Sequence, residues 1–401
     1  MTAIDVGRVG AAQHLEDREA RKYRAKLFAP CYPGLTLGML VPRARDSVMP
    51  FPFNQSNARY YYLARNGIYA LAQLWGLRDT EVLFPAFFHG VELEALLQAC
   101  VRVRFYPVRK RLQVLVDDVV SRIGPKTRAI YLTHFLGFPG PVEELAEVAK
   151  DRGLLLIEDC AHALLSRIGD KPLGSLGDAS IFCLYKTLPV PNGGVLALRT
   201  NERWNLPEGE RPSWASGLAL SADAWERHLQ SHGGRVRRWP LAALRTAGKR
   251  VSRLLGGSRV EVDTPRFEQG YSTLAMSGLS HRIIAGQHFP AIVNARRRNY
   301  LQLLESIGDL APPVFEGLPA GVCPLSYPVR VADKPALVAA FLARGVDVVN
   351  MWYESHPSRP VEPYPEVEEL RKSVLELPCH QDLTPEIIER VAGVARAILA
   401  T

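Results

Sequence analysis

The chain has 401 residues, 47% hydrophobic and 22% charged, which excludes a disordered or fibrous polypeptide and is enough for two domains with substantial cores. Lysine and arginine outnumber aspartate and glutamate by 49 to 41, and the net charge of +8 suits an anionic small molecule, a nucleic acid or no particular partner. No apolar run reaches the roughly 18 residues of a membrane span, and residues 1–15 lack the apolar centre of a signal peptide. The six cysteines form no C-x-x-C pair, so free thiols in a reducing cytoplasm are expected, with no metal-ligating set.

In chain order, residues 1–30 mix charges with alanines and predict a surface helix. The Pro- and Gly-rich stretch 29–53 predicts an extended arm, packed on a partner subunit or on its own body. Asn66-Gly67-Ile68 opens a helical pattern with Ile68, Leu71, Ala72 and Trp75 on one face. Asparagine is a good N-cap, and a helix N-terminus attracts phosphate. Strands are predicted at Glu81–Ala86, followed by Phe87-Phe88-His89-Gly90, at Val101–Val108 and at Arg128–Phe135. His134 is either a site residue or a structural histidine. A helix over Glu143–Asp151 follows, and the alternation argues for a doubly wound, mainly parallel sheet.

Leu154–Ile157 is an apolar run long enough for a buried parallel strand, with Glu158 and Asp159 at its end. Ligand sites in open α/β sheets gather at the carboxyl ends of strands. A second run, Ser180–Leu184, has Lys186 just past its end, and Asn192-Gly193-Gly194 turns the chain into a third, Val195–Leu198. A carboxylate and a lysine are thus each delivered from a strand end, 27 positions apart (186 − 159). A carboxylate for a cationic ring nitrogen and a lysine for an aldehyde carbon are what pyridoxal phosphate (PLP) requires of a protein.

Residues 200–267 break the rhythm, and seven basic residues crowd into positions 235–253. A solvated connecting helix between the lobes is expected there, with contact of 241–255 to a membrane surface or to a diphosphate as the competing possibility. A long helix over His288–Ile307 then leads to a strand at Pro324–Val331, a helix at Lys334–Ala343, a strand at Val346–Trp352, a segment Glu376–His380 and a helix Thr384–Leu399 begun by a Thr-Pro cap.

The stretch Ile157-Glu158-Asp159-Cys160-Ala161-His162, the Gly-rich segment Gly169–Ala179, the run Phe182-Cys183-Leu184-Tyr185-Lys186 and the turn Gly193-Gly194 together resemble the DegT/StrS group of PLP-dependent sugar aminotransferases. More loosely, the resemblance extends from Asn66 to Leu399. It implies that Asp159 binds the ring nitrogen, His162 the ring's phenolic oxygen, and Lys186 the cofactor covalently. Asn66-Gly67-Ile68 stands where the family has a phosphate-binding Ser-Gly-Thr, so backbone N–H groups carry more of that contact. Cys183 replaces a serine that helps to hold the cofactor. The family's stacking ring, four residues after Pro85, is His89 here, with Phe88 as competitor. His356, after Trp352 and Tyr353, takes the place of a substrate-pocket histidine. Tyr271 and Ser277 are candidates from a segment that serves the neighbouring subunit, although its Asn-Tyr-Arg signature is absent. Asp178 and Lys186 are two residues closer than the family pattern. A different placement of that gap puts Leu188 at the lysine position, and Lys171 is the one other lysine nearby.

The resemblance implies an α/β, fold type I PLP-dependent transferase. Its large domain carries a mainly parallel seven-stranded sheet, and a small C-terminal α+β domain follows. The expected division is an N-terminal helix and arm over 1–53, a PLP-binding domain over 54–285 with the basic connector inside it, and the small domain over 286–401. The expected activity is transfer of an amino group from glutamate to a keto sugar, nucleotide-linked by resemblance, in polysaccharide or secondary-metabolite biosynthesis. A homodimer without nucleic acid, in the cytoplasm, is expected. The alternatives are a PLP-dependent sugar dehydratase and a noncatalytic binding protein on the same fold.

Overall fold

The computed structural model describes residues 28–41, 49–199, 209–212, 214–232, 267–310, 314–360 and 362–400, with the backbone alone over 214–220. The helix expected within 1–30 and the basic stretch 235–253, with the membrane-contact candidate 241–255, lie outside these residues or at their edge.

Seven strands form the central sheet: β1 Ala58–Tyr61, β2 Glu81–Pro85, β3 Arg102–Tyr106, β4 Thr127–Thr133, β5 Leu155–Asp159, β8 Ala179–Cys183 and β9 Gly194–Leu198. The short strands β6 Arg167–Ile168 and β7 Lys171–Pro172 pair separately. The order is β1-β9-β8-β5-β4-β2-β3. Strands β8, β5, β4, β2 and β3 run parallel, and β9 is antiparallel to both of its neighbours.

These strands read as unbroken apolar runs because both faces are covered. Successive side chains point to opposite faces. In β4, Ala129 and Tyr131 join one core while Ile130 and Leu132 join the other, and in β2 Val82 and Phe84 part from Leu83 in the same way. Helices α1 Ala64–Leu74 and α2 Val91–Gln98 cover one face with Ile68, Leu71, Ala72, Leu93 and Leu96. The short helix α3 Val116–Val120 and helix α4 Val142–Arg152 lie on the other. In α4, Glu143 and Glu144 in the first turn and Lys150 and Arg152 in the last complement the helix dipole, and Gly153 ends the helix at φ 63°.

The stretch after β9, where a solvated connecting helix is expected, contains a helix, α5 Trp214–His232, ahead of the basic residues. Helices α6 Gly278–Ala285 and α7 Phe289–Ile307 follow. The C-terminal part holds a two-stranded antiparallel sheet, β10 Tyr327–Arg330 with β11 Val374–Leu377, and helices α8 Lys334–Ala343, α9 Pro365–Ser373 and α10 Pro385–Leu399. Thr384 caps α10 through Ile387 N–H, with Pro385 at the first position, as the sequence predicts. The strand expected at Val346–Trp352 does not form. Isolated bridges from Val346 to Ala29 and from Val349 to Glu376 replace it, and Trp352 turns the chain with φ at 46°. Ala29 and Leu35 pack into the main core, so at least this part of the arm lies on its own body.

Candidate active site

The carboxyl ends of β2, β4, β5 and β8 open onto a cavity of about 700 Å³, closed from the C-terminal side by residues 349–357 and Glu376. Asp159, the last residue of β5, is buried in its floor. The Tyr131 hydroxyl donates to one carboxylate oxygen at 3.0 Å and Ala161 N–H to the other at 2.9 Å. Burial, then the charge of Glu92, push the Asp159 carboxyl up to about 6, against the Ala161 amide, Lys186 and Tyr131. A cation placed against it favours the ionised form.

His162 is buried beside Asp159, with its ring centroid 5.5 Å from that of Trp352. Its Nδ1 has no hydrogen-bond partner among the described residues. Burial, then the charges of Lys186 and His89, hold it well below the ordinary histidine value, so the ring is neutral.

Lys186 closes a single 3-10 turn, Leu184–Lys186, just past β8. The turn is held by Leu184 N–H donating to Gly193 at 2.9 Å, which ties it to the Gly-Gly turn. The Thr187 carbonyl that follows accepts from Gln381 at 2.9 Å and from Arg296 at 3.1 Å. Lys186 lines the cavity, and its charge bears on Asp159, His162, Cys183 and Glu376. Leu188 is fully buried in the core, and Lys171 sits on the outer hairpin, 2.8 Å from Glu143. Of the three positions at issue, Lys186 alone is at the cavity. Cys183 is buried in the cavity wall, its thiol pushed up by burial and pulled down by Lys186.

After β2, His89 reaches the cavity, while Phe88 is buried and stacks on Phe105 at 5.6 Å. Glu92 fixes this turn by accepting from His89 N–H at 2.8 Å and Gly90 N–H at 3.1 Å. A Cβ on Gly90 would meet the His356 ring at 2.9 Å, so the glycine admits that ring. His356 lines the cavity and pairs with Glu94 at 2.9 Å. Trp352 packs against Phe87, Phe135 and His162, and the buried Arg371 holds its carbonyl at 2.9 Å and that of Phe88 at 3.3 Å.

The start of α1 differs from expectation. Its cap is Leu63, in extended conformation, so Asn66 is inside the first turn and donates to the Tyr271 carbonyl at 2.6 Å. Gly67 faces Tyr61, Ile181 and Leu196. Of the expected trio Ile68 lines the cavity, with Leu63, Ala64 and Arg65 beside it. The cause lies in the Gly-Gly turn: a Cβ on Gly194 would stand 2.4 Å from the Leu63–Ala64 backbone, so glycine lets the helix begin there. Tyr271 does not line the cavity, and Ser277 caps α6 by accepting from Ser280 N–H at 3.2 Å.

His134 is structural. Its Nδ1 accepts from Gly140 N–H at 3.0 Å, so its Nε2–H donates to Glu158 at 2.9 Å. Glu158 also accepts from the Gly174, Leu176 and Gly177 amides, so the Gly-rich segment is a loop wrapped on this carboxylate. Burial pushes Glu158 up, but the His134 bond and charge and these amides outweigh it and hold it below the ordinary value. The reading of the sequence missed Arg65, Glu92 and Glu376, all cavity residues. Glu92 left one signal, an acid in the first turn after a strand, whereas Arg65 and Glu376 left none.

A sequence model of the DegT/DnrJ/EryC1/StrS aminotransferase family matches residues 67–206. GDP-perosamine synthase of Escherichia coli O157:H7 is 39% identical over 156 residues, 37% of this chain and 42% of that protein. The Vibrio cholerae GDP-perosamine synthase is 31% identical over 130 residues, 32% of this chain and 35% of that protein. The match thus spans less than half the length of these curated relatives. Among solved structures, Helicobacter pylori PseC, an aminotransferase involved in the biosynthesis of pseudoaminic acid, superposes with a TM-score of 0.67 at 15% identity, covering 94% of this chain and all of that one. AtS13 from Actinomadura melliaura gives 0.64 at 19% identity, over 93% of this chain and all of that one. Residues 67–206 thus match the DegT/DnrJ/EryC1/StrS aminotransferase family, and the whole chain has the fold type I architecture of these solved structures.

Proposed function

We propose that this chain is a PLP-dependent aminotransferase that moves an amino group from glutamate to a keto group of a nucleotide-linked sugar. The observation that carries the proposal is the convergence of Asp159, His162, His89 and Lys186 on one cavity at the strand ends. The residues fit the cofactor in three respects. Asp159 has a carboxyl that a cationic ring nitrogen would keep ionised. His162 has a buried nitrogen with no partner among the described residues, available to the ring's oxygen. The first turn of α1, with Arg65, lines the same cavity and suits a phosphate.

Bound PLP supplies an aldehyde carbon and a ring that accepts electrons. Asp159 would hold the proton on the ring nitrogen, and His89 would lie beside the ring. Lys186 Nζ would be the nucleophile toward the aldehyde carbon and the base that takes a proton and returns it. Trp352 and His356 would stand on the acceptor's side of the cavity. The relatives named for GDP-perosamine, and one for dTDP-4-dehydro-2,3,6-trideoxy-D-glucose 4-amination in Saccharopolyspora spinosa, support a nucleotide-linked sugar as that acceptor. Lys186 itself argues against the dehydratase alternative, whose members carry histidine at the lysine position.

Borohydride reduction of the PLP-loaded protein followed by peptide mass mapping tests the assignment. The pyridoxyl mass is expected on the peptide containing Lys186, and a panel of keto sugars with glutamate is expected to yield an amino sugar. A label on Lys171, or PLP bound without any label, would overturn the role of Lys186. Labelling without product from any sugar would overturn the substrate class.

A further inference from the structure

We propose that His228, His232 and Asp382 form a binding site for one divalent transition-metal ion of the zinc class, where α5 meets the loop before α10. His228 and His232 are four residues apart, on one face of α5, and their ring centroids lie 4.5 Å apart with planes at 27°. Asp382 enters from the other part of the chain. Its Oδ1 lies 2.9 Å from His228 Nδ1 and 4.0 Å from His232 Nδ1. Each residue offers one ligand atom, and the three lie within 4.8 Å of one another. Metal–ligand bonds of roughly 2.0–2.2 Å place ligand atoms a little over 3 Å apart, so small ring rotations complete the site.

An ion pair accounts for only part of this arrangement. His228 alone satisfies the Asp382 oxygen, while His232 Nδ1 lies 3.2 Å from the His228 carbonyl, a local contact that a metal would replace, and a second imidazole stacked on the first is repelled whenever both are protonated. A shared metal removes those protons and uses both rings. The carboxylate is oriented for it as well: Gly34 N–H donates to Asp382 Oδ2 at 3.2 Å, which turns Oδ1 toward the histidines. Partners that orient a ligand in this way are a usual part of metal sites. Two imidazoles and one carboxylate select Zn²⁺, Co²⁺ or Ni²⁺ over Mg²⁺ or Ca²⁺, which prefer all-oxygen sets. The side chains are 27%, 33% and 9% exposed, so solvent can supply the remaining ligand. A bound ion would join α5 to Asp382, the neighbour of Gln381, which holds the Thr187 carbonyl beside Lys186.

The test uses untagged, full-length protein dialysed against chelator and titrated with Co²⁺ alone. One equivalent is expected to produce a visible d–d band, to the red of the pyridoxal chromophore, that Zn²⁺ abolishes and Mg²⁺ does not. His232→Ala and Asp382→Asn should each weaken Co²⁺ binding on the order of tenfold or more. His281→Ala, a histidine that packs on Tyr60 and is not one of the three, should bind as the wild type does. Bound Zn²⁺ should raise the melting temperature of the wild type and leave that of His232→Ala unchanged. Absence of saturable Co²⁺ binding to the wild type overturns the proposal, and so does equal affinity in folded His232→Ala and wild type.

Discussion

Gln381 donates its side-chain amide to the Thr187 carbonyl across 2.9 Å, although the two residues are 194 positions apart. The same carbonyl accepts from Arg296, whose Nε donates to the Gln381 side-chain oxygen at 2.8 Å. The turn that carries Lys186 is therefore fastened from the C-terminal part of the chain. Placement of the lysine depends on the packing between the two parts as well as on the strand that delivers it.

Arg296 is fully buried and also serves the Pro324 and Leu325 carbonyls at 3.1 and 2.9 Å. Arg296→Leu leaves the Leu325 carbonyl without this donor and the Pro324 carbonyl with only the Cys379 thiol at 4.0 Å, at about 1–3 kcal/mol each, so a loss of several kcal/mol is expected. Gln381→Ala removes two bonds, one to a carbonyl that keeps Arg296 and one from the Arg296 Nε, so a smaller loss of about 1–3 kcal/mol is expected. Urea unfolding of both variants checks the order, and equal losses would show that the network does not hold the turn.

Asp159 yields a pH prediction. Its raised value of about 6 makes it neutral below that pH and ionised above. An ionised Asp159 pairs with a cationic ring nitrogen, whereas a neutral one does not. The ratio of wild-type to Asp159→Asn affinity for PLP should therefore be large at pH 8 and shrink toward unity as pH falls through about 6. Groups that titrate in both proteins cancel in that ratio. Glu92→Gln removes the second cause of the shift and should move the midpoint downward. A ratio independent of pH between 5 and 8 would separate Asp159 from the ring nitrogen.

The strand ends were legible in the sequence because a parallel strand covered on both faces is a bare apolar run, and the residue that ends it shows. Asp159 and Lys186 followed from that, whereas His162, and His89 over Phe88 by counting from Pro85, came from the family resemblance. What was not legible depends on contacts distant in sequence. The start of α1 is set by Gly194 pressing on Leu63 and Ala64, so the cap is not where the good capping residue Asn66 stands. Val346–Trp352 has strand composition, but the left-handed Trp352 and the tether from Arg371 turn it into a cavity wall. His228 and His232 drew no notice because their partner, Asp382, is 154 positions away from His228.

Two glycines separate steric need from backbone need. A Cβ on Gly194 would meet the Leu63–Ala64 backbone at 2.4 Å, whereas around Gly153, at φ 63°, there is open space. Gly153→Ala should cost only the left-handed strain, about 1–2 kcal/mol. Gly194→Ala forces backbone to move, which costs at least about 1–3 kcal/mol. It also shifts the first turn of α1, so it alone should weaken binding of pyridoxal phosphate. Thermal melts with and without the cofactor distinguish the two, and loss of affinity in Gly153→Ala would contradict this division.

Lys334 gives the last prediction. Its side chain is fully buried and donates to the Met351 carbonyl at 2.7 Å and the Arg371 carbonyl at 2.9 Å. Burial brings it down to about 7, with Glu376 opposing and Arg371 adding to the effect. A neutral amine has two N–H donors, which matches these two carbonyls. Above its ordinary value of 10.5 the lysine is neutral in both folded and unfolded chains. Between about 7 and that value the unfolded chain binds the proton and the folded one does not, so stability rises with pH across this window. Below about 7 both are charged, and the cost of the buried ammonium is fully present. Wild-type stability should therefore gain on that of Lys334→Met by about 1 kcal/mol per pH unit above pH 7. Urea unfolding of both proteins from pH 6 to 9 measures this difference. Parallel curves would mean that Lys334 keeps its proton in the folded chain, with its third N–H directed to an acceptor such as the buried Glu376.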